Sequence, residues 1–379
     1  MEERRMDDTL EKTLLRRAAA SCHPVNGTLE LTPLCNMDCR MCYIRCNSEA
    51  VKQAGGLREA KEWIRLGREM REAGVLFLLL TGGEPLFFSG FQEVYLALRD
   101  MGMILTVNTN GTLLDEEWAD FFGKYRPRRI NITLYGADEK TYGSLCRCPG
   151  GFAKAVKAVR SLKERGVDVK LNGSVTRENR TQMQHIYGIG HNLGVPVHMD
   201  TYMLPGVRER ELPFEEQARL LPEEAAGAEL EAVRTELAMT ADPEEGTDLF
   251  REYVKQKCAL VERWIKSRRR YPDGLTCLAG SCSFAVGWQG QMRPCVTFSE
   301  PSLPVFEMGF QEAWQELRKK VGKLCINAEC EVCTLRPLCK TCPAAAHLEE
   351  GACDKRPEYV CHYTKEYWRL LKETQAGMR

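Results

Sequence analysis

Leu34-Cys35-Asn36-Met37-Asp38-Cys39-Arg40-Met41-Cys42-Tyr43 decides how this chain is read. Its cysteines are separated by three residues and then by two. Three thiolates this close can hold three corners of an iron–sulfur cube, because thiolate sulfur is the soft ligand such clusters use. A 4Fe–4S cube has four irons, so a local set of three cysteines leaves one iron open. Structural metal sites are normally closed, and an open position is where chemistry happens. The stretch therefore predicts a reactive metal centre.

The apolar patterning on either side predicts what carries it. The stretch Gly27-Thr-Leu-Glu-Leu-Thr-Pro-Leu34 reads as a strand leading into the cysteine loop. Further strands are expected at 75–80, 104–108, 129–134, 168–175 and 196–200. Helices are expected at 57–73, 90–101, 115–125, 152–165 and 181–193. Continuous apolar strands separated by amphipathic helices predict parallel strands buried on both faces. Six such units make an α/β fold, a partial (β/α)6 TIM-like barrel. Cys35, Gly82, Asn110, Tyr135, Asn172 and Tyr202 follow the strands, at the rim that carries the site in such barrels.

The expected division is an N-terminal helix and connector (1–26), the barrel (27–204), a helical linker (205–275), a cysteine-rich module (276–362) and a closing helix (363–379). The chain has 379 residues and a formal net charge of zero. That balance gives no electrostatic footprint for nucleic acid or an anionic membrane. Without an apolar run of 18 residues or a signal peptide, the expected location is the cytoplasm. Eighteen cysteines in such a chain point to metal binding rather than disulfides, and to an anaerobic setting.

The triad, its place after the first barrel strand and the aromatic Tyr43 resemble the radical S-adenosylmethionine (SAM) superfamily. The resemblance implies that SAM chelates the fourth iron through its amino and carboxylate groups. Thr81-Gly82-Gly83-Glu84-Pro85 agrees with it. Two glycines permit close approach and offer unobstructed amides, Glu84 can accept from an ammonium group, and the resemblance implies that this segment grips the amine of SAM. Asn110, Thr133, and either Asn172 or Ser174 are expected to face SAM or substrate, with Arg147 meeting the SAM carboxylate. Cys146 and Cys148 are candidates to touch substrate as hydrogen donors or a thiol relay; the alternative is packing. His198 and Asp200, near the last strand end, are the other pair to watch.

Downstream, Cys277-x12-Gly290-x4-Cys295 is followed by Cys330-x2-Cys333-x5-Cys339-x2-Cys342 and Cys361. This resembles the SPASM module, although the usual last spacing is three. By that resemblance one auxiliary cluster takes Cys277, Cys282, Cys295 and Cys342, and the second takes Cys330, Cys333, Cys339 and Cys361. Cys353 competes with Cys361, and two four-cysteine zinc sites are the alternative. Cys22, Cys46, Cys258 and Cys325 stay unassigned.

The implied cofactors are three 4Fe–4S clusters and SAM. The implied chemistry is reductive SAM cleavage to a 5′-deoxyadenosyl radical, hydrogen abstraction and oxidative modification of a peptide or protein, such as a thioether or carbon–carbon crosslink, with the auxiliary clusters relaying electrons. Expected partners are that substrate, a flavodoxin or ferredoxin donor, and a separate leader-recognition protein, since only 34 residues precede Cys35. Val296, where sulfatase maturases carry an aspartate after the cysteine, argues against that activity. The alternatives are a small-molecule dehydrogenase or epimerase, and a non-enzymatic iron–sulfur or zinc regulator.

Overall fold

A computed structural model describes residues 2–205, 218–240, 243–267, 270 and 277–378. The expected linker helices fall partly outside this set, with Pro213 and Pro272 among the residues not described. Pro222 and Pro243 open the helices Pro222–Thr240 and Pro243–Ser267. Proline suits a first helical turn because its missing N–H has no partner there anyway.

Six parallel strands form the core: β1 (Asn26–Glu30), β2 (Phe77–Thr81), β3 (Ile104–Thr109), β4 (Arg129–Thr133), β5 (Val169–Ser174) and β6 (Val197–Asp200). Helices Ala60–Glu72, Phe91–Asp100, Glu116–Lys124, Gly151–Glu164 and Met183–Leu193 alternate with them. This is the partial TIM-type barrel expected. Helix Glu139–Cys146 was not anticipated; its N-terminus is capped by the Asp138 side chain, which accepts from Thr141 N at 2.8 Å.

Two features depart from expectation. The sheet continues into the cysteine-rich module in the order β6-β5-β4-β3-β2-β1-β7-β8-β9, where β7 is Ser283–Val286, β8 Gln291–Arg293 and β9 Leu303–Pro304. β7 runs parallel to β1, which would otherwise present an unpaired edge. A side chain at Gly27 would place its Cβ 2.5 Å from the Phe284 ring, so this junction requires glycine. Phe306 of the module also packs edge-on against Trp63, with ring centroids 5.3 Å apart.

Second, the strands are not apolar on both faces. Leu105, Val107, Ile130, Ile132, Val169, Leu171, Val197 and Met199 are buried in the main core. The alternate positions, Asn108, Asn131, Thr133, Lys170, Asn172 and Ser174, are half-buried, and His198 and Asp200 are exposed. Period-two alternation thus gives the barrel one polar face. No helix among the described residues is long and apolar enough to cross a membrane.

Candidate metal centre and cofactor cavity

The loop after β1 brings Cys35, Cys39 and Cys42 to a cavity of about 230 Å³, lined also by Tyr43, Gly82, Gly83, Asn110, Thr133 and Tyr135. A larger hollow of about 650 Å³ on helix Pro243–Ser267 is lined by charged side chains and Leu249, with no thiol.

The triad sulfurs are supplied with donors. Cys35 Sγ accepts from Met37 N at 3.3 Å and faces Asn110 Nδ2 at 3.7 Å; Cys42 Sγ accepts from Arg45 N at 3.3 Å. Burial pushes the Cys35 thiol up to about 12. Cys39 is raised too, first by a hydrogen bond with Cys146 and then by burial. Such thiols ionise when metal binds, since the cation stabilises the thiolate. Among the described residues no three His, Cys, Asp or Glu side chains surround one ion position. A cube sets each thiolate on its own iron, so three separated thiols with donors fit it.

Glu84 does not face the cavity. It is fully buried, Oε1 accepting from Thr109 Oγ1 at 2.7 Å and Leu86 N at 3.1 Å, and Oε2 from Asn110 N at 2.8 Å. Its carboxyl is pushed up to about 7 by burial, against those three donors. The expected role as ammonium acceptor is corrected: the Glu84 side chain braces two strand ends. Pro85 opens a short 3-10 turn, outside the cavity lining.

The glycines serve a second purpose as well. A Cβ on Gly82 would lie 2.3 Å from Thr32 O, and one on Gly83 2.4 Å from Leu34 O. Gly83 N donates to Thr32 O at 2.6 Å and Glu84 N to Leu34 O at 2.9 Å. These amides are therefore engaged, not unobstructed, and they clamp the segment leading into the triad.

Arg147 is also reassigned. Its Nη1 lies 2.7 Å from Asp38 Oδ2, and it does not line the cavity. Tyr43 lines the cavity with its hydroxyl donating to Glu30 Oε1 at 3.0 Å. Asn110 sits at the mouth, its Nδ2 also donating to Asn36 Oδ1 at 2.9 Å. Thr133 lines the cavity, whereas Asn172 and Ser174 lie one strand further along the polar face, with Asn172 in register with Thr133. Cys146 is completely buried, and Cys148 is half-buried beside Gly151. Tyr135, expected at the rim after β4, lines the cavity, and so does Tyr142, which the sequence does not single out because one tyrosine among 12 carries no spacing signal.

Downstream, the thiols separate into groups. Burial raises Cys342, with the charges of Cys295 and Cys277 adding to it. Burial likewise raises Cys361 to about 11, with Cys339 and Cys330 adding, and Cys330 in turn feels Cys339 and Cys333. Cys353 feels Cys325 instead. Cys282 is buried with Ala18 and Val25, its thiol 3.6 Å from Leu15 O, and its thiol neighbours are Cys277, from its expected set, and Cys22.

Residues 29–187 match the Radical SAM superfamily. The AdoMet-dependent heme synthase of Methanosarcina barkeri is 24% identical over 338 residues, covering 85% of this chain and 92% of that protein. The PqqA peptide cyclase of Granulibacter bethesdensis is 27% identical over 171 residues, 45% of each chain. The structure of native anSMEcpe with bound AdoMet and Cp18Cys peptide superposes with a TM-score of 0.62 at 16% identity, covering 94% of this chain and 99% of that one. That likeness is one of fold and extends through the cysteine-rich module. Residues 29–187 thus form a Radical SAM domain, joined through a shared sheet to a cysteine-rich module.

Proposed function

We propose that the chain is an oxidative radical SAM enzyme that modifies a peptide or protein side chain. Cys35, Cys39 and Cys42 would hold the 4Fe–4S cluster, and the cavity they line would take SAM. When bound, this pair supplies a 5′-deoxyadenosyl radical able to take hydrogen from an unactivated carbon. The protein positions the reactants and excludes water. A SAM ammonium carries only donors, so the Gly82–Gly83 segment would receive it on carbonyl oxygens.

The polar face of the barrel carries the substrate reading. Asn108, Asn131 and Lys170 lie in one register row, and Thr133, Asn172 and His198 in the next. Asn172 Oδ1 is buried and has no hydrogen-bond partner among the described residues. Adjacent strands are about 4.8 Å apart, which places His198 some 10 Å from the cavity wall at Thr133, within reach of one extended side chain. A peptide presents paired donors and acceptors, and this wall offers both. His198 Nε2 and Asp200 Oδ1 are 3.3 Å apart, and that bond raises the His198 pKa.

Two thiol groups in the module, Cys277/Cys295/Cys342 and Cys330/Cys333/Cys339/Cys361, would hold auxiliary clusters that carry the substrate's electron away, with a flavodoxin or ferredoxin as donor and the cytoplasm as location. A separate leader-binding protein would help deliver a peptide.

A small-molecule substrate is the second reading. It is favoured by the heme synthase match over 85% of this chain, against 45% for the peptide cyclase. Anaerobic reconstitution with dithionite and SAM separates the readings. The enzyme class fails if no 5′-deoxyadenosine forms. Loss of two hydrogens from a precursor peptide supports the first reading, and consumption of an iron porphyrin the second.

A further inference from the structure

Around the triad the donors to sulfur differ in kind. Backbone N–H groups serve all three sulfurs and the Asn110 amide faces Cys35, whereas the side-chain partner of Cys39 is another thiol, that of Cys146. Cys146 is the last residue of helix Glu139–Cys146. Asp38 N donates to Cys146 O at 3.2 Å and Arg40 N to Leu145 O at 3.0 Å, so the residues flanking Cys39 satisfy the final carbonyls of that helix. Arg147, just past the helix, adopts a left-handed backbone with φ of 50° and pairs with Asp38. Three contacts therefore hold the residues flanking Cys39 against the helix end that carries Cys146.

A buried cysteine at a helix end is ordinarily packing. Here its S–H meets a ligand sulfur. We propose that Cys146 is a positioning residue whose thiol donates a hydrogen bond to the Cys39 thiolate and thereby raises the reduction potential of the N-terminal cluster. The inference rests on reading Cys35, Cys39 and Cys42 as the cluster's ligands. The direction of the bond follows from charge: a metal-bound thiolate has no proton to give, and a thiol has one. A donor to a ligand sulfur stabilises the reduced, more negative state, and such bonds set cluster potentials.

The test is an EPR-monitored redox titration of the anaerobically reconstituted full chain, following the signal that changes when SAM is added. Cys146→Ala is expected to lower the reduced-to-oxidised ratio at a fixed potential about tenfold, a shift of about 59 mV for one electron, with iron content unchanged. Cys146→Ser, which keeps a donor, is expected to titrate at or above the wild type. Wild-type behaviour in Cys146→Ala, or equal downward shifts in both variants, overturns the proposal. If Cys146→Ala fails to hold its cluster, the serine variant decides: a midpoint below the wild type overturns the proposal, and one at or above it supports it. A wild-type protein with no SAM-responsive signal removes the ligand reading itself, and the proposal with it.

Discussion

Thr109 Oγ1 donates to Glu84 Oε1 across 2.7 Å, tying the end of β3 to the turn after β2. Asn110 N holds the other carboxylate oxygen at 2.8 Å, so one buried carboxyl braces the turn and the residue facing Cys35. Its pKa of about 7 lies above the usual 4.5. The native state therefore binds more protons than the unfolded chain between those values, and stability falls as pH rises through that window. The loss attributable to Glu84 is roughly 3 kcal/mol. Chemical unfolding between pH 4.5 and 7 checks it. Glu84→Gln is expected to remove this part of the slope, and an unchanged slope would refute the assignment.

Arg147 and Asp38 lie 2.7 Å apart with side chains 55% and 30% exposed. Such a pair contributes under about 1 kcal/mol. Arg147→Ala is expected to change SAM affinity less than about fivefold and the melting temperature by a few degrees at most. Isothermal titration of the reconstituted protein with SAM measures the first quantity. A loss of a hundredfold or more would return Arg147 to the SAM carboxylate.

The thiol of Cys282 lies 3.6 Å from Leu15 O of the N-terminal helix, with Cys22 and Cys277 as its thiol neighbours. Cys282→Ser is expected to leave the iron count of the reconstituted protein unchanged. Cys295→Ser and Cys361→Ser are each expected to lose about four irons per chain, one cube. Iron and sulfide analysis decides, and a matching loss in the Cys282 variant would restore the four-cysteine set.

The wall residues are expected to separate SAM cleavage from turnover. Lys170→Ala and His198→Ala should retain 5′-deoxyadenosine formation without substrate. They should lower kcat/KM for the modified substrate ten- to hundredfold, about 1.4 to 2.7 kcal/mol in barrier. Equal losses in both assays would mean that the wall supports the cofactor cavity instead.

Much of this was legible in the sequence because it is local. The triad and Gly82-Gly83-Glu84-Pro85 are short segments whose spacing and backbone freedom are visible directly, and the six strands follow from apolar runs between helical patterns. The polar face was less legible. Asn108, Asn131 and Lys170 sit in separate strands, and only the register brings them into one row. Runs such as Val75–Leu80 are apolar throughout and conceal the alternation that the later strands carry. Glu84 was misread because a carboxylate beside two glycines looks like a ligand group, whereas its partners, Thr109 and Asn110, arrive from 25 residues or more along the chain.

By itself the sequence determined the chemistry that is available: three closely spaced thiols, a glycine turn one strand away, and a cysteine-rich module downstream. Those follow from residue type and covalent spacing, which no packing alters. Tertiary structure alone decided which groups meet. It put Cys146 against Cys39, turned Glu84 inward and Arg147 toward Asp38, set Cys282 among apolar side chains and joined the module to β1 by a shared sheet. The reason is physical: a side chain's direction depends on its strand's register and its helix's rotation, and both are set by burying apolar surface across the whole domain.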